Sequence, residues 1–302
     1  MIVCELVIFF SERTSCIIIG GGFGNGSKYS TFEVLTGDLG TKQLQNLPEG
    51  TSRSPMVKHN GHILLCGGLK QCLKLDHGTW KEHSTLNEER FSHSAVTTQT
   101  ATFIFGGFYS RDTYEYLPKD SDTWLTGKTV IPGGFDDGFS ITVKSGLEIW
   151  LLGGSLNEKR ILSFNTNDHT FQELPFQLNV GRVAARCAYI PNTTKIIVTG
   201  GYNSTSFHLD CTEIIDTDRR VSLTARAMTH KRFGHGIGVV NVNGKERLAI
   251  FGGRHGFCKW LDCVELFDTK TEKWEKTNIK LNEPKEYFGF LNVKLSEIIP
   301  KP

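Results

Sequence analysis

The chain has 302 residues, 38% of them hydrophobic and 11% aromatic, with 32 glycines and a formal net charge of +2. This composition excludes disordered and collagen-like chains, and without a long lysine or arginine block the charge offers no footprint for nucleic acid or an anionic membrane. No apolar run reaches the roughly 18 to 20 residues of a membrane-spanning helix, and a single all-β domain accommodates the whole length.

In chain order, Val3 to Phe10 reads as a strand rather than a signal peptide, because a basic start is missing and Glu5 interrupts the apolar stretch. Cys16-Ile17-Ile18-Ile19 then runs into Gly20-Gly21. Five similar runs end in Gly67-Gly68, Gly106-Gly107, Gly153-Gly154, Gly200-Gly201 and Gly252-Gly253, with spacings of 47, 39, 47, 47 and 52 residues between first glycines. That period is a propeller-blade period. Each run is apolar at successive positions, as a strand sandwiched between sheets requires, and glycine lets it turn sharply where another backbone comes close.

A loop and a second, alternating strand follow each doublet: Thr31 to Leu35, Cys72 to Leu75, Tyr114 to Tyr116, Ile161 to Phe164, Thr212 to Ile215 and Val264 to Phe267. An aromatic anchor comes next in four units, at Trp80, Trp124, Phe171 and Trp274. In the third, fourth and sixth units its spacing from Tyr116, Phe164 and Phe267 suits a hairpin that joins two rings. With the segment that precedes each run, as in Arg90-Phe91-Ser92-His93 and Arg232-Phe233-Gly234-His235, every unit supplies four antiparallel strands. Six such units predict an all-β, six-bladed β-propeller, because one blade alone cannot bury both faces. The blades fall at about 2–46, 53–84, 90–126, 135–174, 182–224 and 232–277, and 285–295 is the expected closing strand, in competition with Val3 to Phe10.

Strand, glycine doublet, loop, alternating strand and tryptophan at this period resemble the kelch repeat along nearly the whole chain. The departures are Leu39 to Leu44 in place of the first anchor, Phe171 in the fourth unit and Val221 to Leu223 in the fifth. The resemblance implies closure by a C-terminal strand that completes the first blade.

Arg53, Arg90, Arg182 and Arg232 are read as openers of innermost strands, with Asp136, Asp137 and Glu286 at corresponding positions. Kelch-like substrate adaptors hold acidic peptides with arginines at this opening, which implies a pocket at the channel mouth. The alternative reading makes the same arginines stitches between loop carbonyls and neighbouring blades. Further candidate partner-binding residues are Tyr29, Tyr109, Arg111, Arg160, Tyr202, Arg254, His255 and Trp260, all in the loops after the doublets, where a rigid scaffold carries function. His93 and His235 recur at matched positions and read as scaffold, as do the tryptophan anchors.

No common catalytic, phosphate-loop or calcium signature occurs, and Gly20-Gly21-Gly22 lacks the helix and lysine that a nucleotide loop needs. Neither a metal nor a cofactor is expected. The eight cysteines contain no Cys-x-x-Cys pair, which favours a cytoplasmic, reducing environment, while three sequons, at Asn25, Asn192 and Asn203, leave secretion as the alternative. The expected function is a protein-binding scaffold for a partner protein or acidic peptide. The resemblance implies three versions or rivals of it: the recognition part of a ubiquitin ligase adaptor, a sugar-acid epimerase working with arginine and carboxylate at the channel mouth, or an actin-binding structural protein. A copper oxidase would need a tyrosine and histidine constellation that these residues do not supply.

Overall fold

The computed structural model describes residues 15–38 and 40–298. Val3 to Phe10 and Leu39 lie outside the described residues. The runs before the doublets do become strands, and each takes the second place in a four-stranded antiparallel sheet. The innermost strands are Gly289–Lys294, Met56–His59, Ser94–Thr97, Phe139–Val143, Arg186–Tyr189 and Gly236–Val242, and neighbours among them touch all the way round. Six blades therefore close a ring: a β-propeller.

Closure is made by the C-terminal strand. Gly289–Lys294 pairs residue by residue with Ser15–Gly20, from Gly20↔Gly289 to Ser15↔Lys294, and supplies the inner strand of blade 1. The edge that Ser15–Gly20 would otherwise present is thereby covered.

The apolar runs explain the core. Cys16 and Ile18 face blade 2 together with Trp80, whereas Ile17 and Ile19 face blade 6 together with Phe251 and Ala249. The same two-sided use repeats around the ring, so one hydrophobic cluster fills each gap between neighbouring blades. Trp124 occupies the gap between blades 2 and 3, and Trp274 that between blades 5 and 6. Phe267 and Trp274 do pair across their hairpin, with ring centroids 5.0 Å apart, as do Phe164 and Phe171 at 4.8 Å. In blade 3 the expected partnership fails: Tyr116 turns toward blade 4 and Trp124 toward blade 2, on opposite faces of the sheet.

The doublets turn the chain with two positive φ angles in succession. In blade 5, Gly201 has φ +96°, and a Cβ there would stand 2.7 Å from the Val183 carbonyl oxygen. In blade 1 the equivalent pair is Gly21-Gly22, one residue later than the sequence suggests, with Gly20 still in the strand. Blade 2 adds a cross-strand link, since Cys66 and Cys72 pair directly and are disulfide-bonded.

Candidate functional site

Each linker that enters an innermost strand passes through one residue in the left-handed region: Arg53, Ser92, Asp137, Ala184, Gly234 and Tyr287, with φ between 46° and 58°. Their backbones form a belt around the channel. The N–H of Asp137 donates to Ser92, Ala184 to Asp137, Gly234 to Ala184, Tyr287 to Gly234, and Arg53 to Tyr287, over 2.6 to 3.0 Å. Between Arg53 and Ser92 a side chain makes the junction, as Arg53 Nη1 donates to Ser92 Oγ at 2.6 Å. The same nitrogen reaches both Asp137 carboxylate oxygens at 3.2 Å, and the guanidinium lies 3.7 Å from the Tyr287 ring centroid. Arg53 thus bars the channel at belt level.

Arg53 is two residues out of phase with the other three predicted arginines. The position equivalent to Arg90, Arg182 and Arg232 is held by Thr51 in blade 2 and by Lys285 in blade 1, as the carbonyl bonds to the second glycines show. The expected ring of four guanidiniums at the mouth is not formed. Arg90, Arg182 and Arg232 have no exposure and lie inside their own blades. They pair with Glu115, Glu213 and Glu265 at 2.9, 2.8 and 2.6 Å, and Lys285 pairs with Glu33 at 2.7 Å. Each of the three Nη1 atoms also donates at 2.8 Å to the carbonyl of the first doublet glycine. The carboxylates cap linker N–H groups, for example Glu213 with Asn179 and Val180. These arginines are stitches, because a buried guanidinium has to be matched donor by donor.

Above the belt, the residue after the second glycine pairs back with the linker residue before the belt, as in Phe91↔Phe108, Val183↔Tyr202, Phe233↔Arg254 and Phe23↔Glu286. These two positions build the mouth. They surround a bowl of about 760 Å³ whose walls include Phe23, Phe91, Tyr202 and Phe233, with Arg53 and Tyr287 as its floor. Leu69, Phe207 and Phe257 stand exposed at its rim, the last at 82%. His208 stacks on Phe233 with centroids 5.2 Å apart.

Glu286 is the buried carboxylate of the bowl. Its Oε1 accepts from Trp260 Nε1 at 3.1 Å and from Arg254 Nη1 at 3.3 Å, while its Oε2 is buried without a partner among the described residues. Burial raises this carboxyl above its ordinary value, against the opposing pull of Trp260 and Arg254. Asp136, its counterpart in blade 4, accepts at Oδ1 from the Ser155 hydroxyl, while its Oδ2 is 2.7 Å from Arg111 Nε as an ion pair without a well-aligned hydrogen bond.

Of the predicted binding residues, the structure brings Arg53, Tyr202 and Arg254 together in the bowl. Trp260 braces it through Glu286, and His255 stands behind His208 with centroids 6.2 Å apart. Tyr109 is 72% exposed and meets the Phe91 ring edge-on, outside the bowl lining. Tyr29 packs beside Gly24, and Arg111 lies over Phe108. Arg160 is a scaffold residue, buried with Nη1 and Nη2 on the carbonyls of Pro132 and Gly134. Phe23, Phe91, Phe233 and Phe207 were not among the expected contacts. The signal of Phe23, Phe91 and Phe233 was positional, one residue before the belt or beyond the doublet; Phe207 lies farther out in the loop after the fifth doublet. His93 and His235 are buried scaffold residues, with Nε2 at 3.1 Å from the Cys66 carbonyl and at 2.8 Å from Thr199 Oγ1.

A family model, the kelch motif, matches residues 234–278, which span most of blade 6. A solved structure titled "Structure of YjhT" superimposes with a TM-score of 0.66 at 13% identity, covering 82% of this chain and 89% of that one. A likeness at such low identity concerns the fold alone. No curated protein matches the sequence.

Proposed function

The chain is a six-bladed kelch-repeat β-propeller, and from the bowl at its mouth we propose that it is a protein-binding scaffold for an acidic segment carrying an apolar anchor. The observation that supports this reading is an open aromatic bowl with Phe207 and Phe257 exposed at its edge. Aromatic side chains held in that way are typical energetic anchors of interfaces. The charges suit an acidic segment: Arg53 is offset by Asp137 and Arg254 by Glu286, leaving Lys28 as the uncompensated charge of the lining among the described residues. Recruitment of a ubiquitin ligase is not part of the proposal.

The test uses fluorescence-labelled peptide libraries with the purified chain and a Phe207→Ala, Phe257→Ala variant. Peptides that combine acidic residues with an aromatic or aliphatic anchor should bind the wild type. The variant should bind them at least about thirtyfold more weakly, the scale of a lost anchor of roughly 2 kcal/mol, with an unchanged melting temperature. Equal binding by both proteins would remove the bowl from the interaction.

One observation favours a second reading, an acid–base enzyme acting on a sugar acid. Glu286 is a buried carboxyl with a raised pKa, one free oxygen and an arginine alongside, which is the arrangement of a tuned proton donor. Under that reading Glu286→Gln abolishes proton exchange on bound sugar acids, as followed by NMR. Under the scaffold reading no such exchange occurs in the wild type.

A further inference from the structure

Below the belt, the channel opens into a second cavity of about 190 Å³, lined by the inner strands and separated from the bowl by Arg53 and Tyr287. Its charges do not balance. Arg53 is offset by Asp137. Arg186 has no carboxylate within ion-pair distance among the described residues, and its one hydrogen bond runs from Nη1 to the neighbouring Ala185 carbonyl at 2.8 Å. Its guanidinium carbon lies 6.0 Å from the Phe290 ring centroid.

The other titratable groups of the lining are neutral at pH 7. Burial pushes the His93 imidazole down to about 3 and the Cys187 thiol up to about 12, and it holds the Tyr287 phenol well above its usual value. One positive charge, on the half-buried Arg186, is left over in a confined stretch of the channel. The lining also offers hydroxyl donors. Ser94 Oγ and Ser140 Oγ lie 2.6 Å apart, so one hydroxyl donates to the other and the accepting hydroxyl keeps its own hydrogen for a ligand.

A half-buried cation without a counter-ion in a narrow channel draws anions toward it, and one from solution can supply the missing charge. At about 30 Å³ per water, the cavity holds on the order of six waters, which is room for a partly hydrated small ion and not for a peptide. We propose that the channel is a binding site for a small monovalent anion, a halide or a short carboxylate, held by Arg186 with the hydroxyls of Ser94 and Ser140. The site goes beyond the partner-binding reading, since it lies on the other side of the Arg53 bar and takes a different ligand.

Thermal unfolding at constant ionic strength tests it, with sodium gluconate, the bulkiest of the three anions, replaced stepwise by sodium chloride or sodium acetate. The wild type should show a saturable rise of about 3 °C, the linkage expected of a ligand that binds only the folded chain. The chloride and acetate arms distinguish halide from carboxylate. Arg186→Met should abolish the rise and Arg186→Lys should keep it. A bromide soak of wild-type crystals, read by anomalous scattering, decides independently of how the variants fold: a peak within contact of Arg186 supports the site. An equal response in wild type and Arg186→Met, or a channel without bromide together with no rise in acetate, would overturn it.

Discussion

Four blades carry a buried cation and glutamate, and two do not. Blades 1, 3, 5 and 6 hold Lys285 with Glu33, Arg90 with Glu115, Arg182 with Glu213 and Arg232 with Glu265. In blades 2 and 4 both equivalent positions change together, to Thr51 with Leu73 and to Phe135 with Leu162. A charge kept without its partner would be an unmatched buried ion, so the two positions must change as one. We expect Arg182→Ala to cost about 3 to 5 kcal/mol in urea unfolding, the scale of breaking a buried pair. Arg182→Met with Glu213→Leu, which copies the uncharged blades, should recover part of that loss despite losing the caps on Asn179 and Val180. Strict additivity of the two substitutions would contradict the account. The pairing was legible in the sequence, since every unit with a cation at this point also has a glutamate in its third strand. Arg53 obscured it, because Thr51 rather than Arg53 occupies the equivalent position.

Strands were the most legible elements, because a run that must be buried on both faces is apolar at consecutive positions. The glycine doublets were legible for the same kind of reason, as only glycine tolerates both the positive φ and the close linker carbonyl. The tryptophans were read correctly as core, but not all by the expected contact. Trp274 meets its hairpin partner, whereas Trp124 fills the gap with blade 2. A strand's two faces serve two different neighbours, and spacing along the chain does not tell which neighbour a ring will choose. Either way the burial is nearly complete, at 3% exposure for Trp124 and 6% for Trp274. Trp124→Ala and Trp274→Ala are therefore each expected to destabilise by about 3 to 5 kcal/mol, measured by denaturant unfolding. A loss within experimental error at either site would mean that the gap is not held by the ring.

Closure of the whole ring depends on pairing between residues more than 270 positions apart, such as Cys16 with Val293. The chain ended at Phe288 would leave Ser15–Gly20 as an open edge beside an unfilled channel. We expect that truncation to abolish the single cooperative unfolding transition and to produce aggregates, as seen by calorimetry and size-exclusion chromatography; a monomer with the wild-type transition would show that closure is dispensable. At this scale the fold could be read from the repeat, but the mouth could not. Its walls come from loops whose mutual positions exist only once the ring is closed. The belt at the base of those walls joins blades almost wholly through main-chain atoms. At its six equivalent places the chain carries arginine, serine, aspartate, alanine, glycine and tyrosine, six different residues. The molecule has in effect run a substitution experiment on itself: apart from the Arg53–Ser92 junction, ring closure makes no demand on the side chain at this layer, so these positions are free to diversify and a new ligand preference can evolve there without refounding the fold.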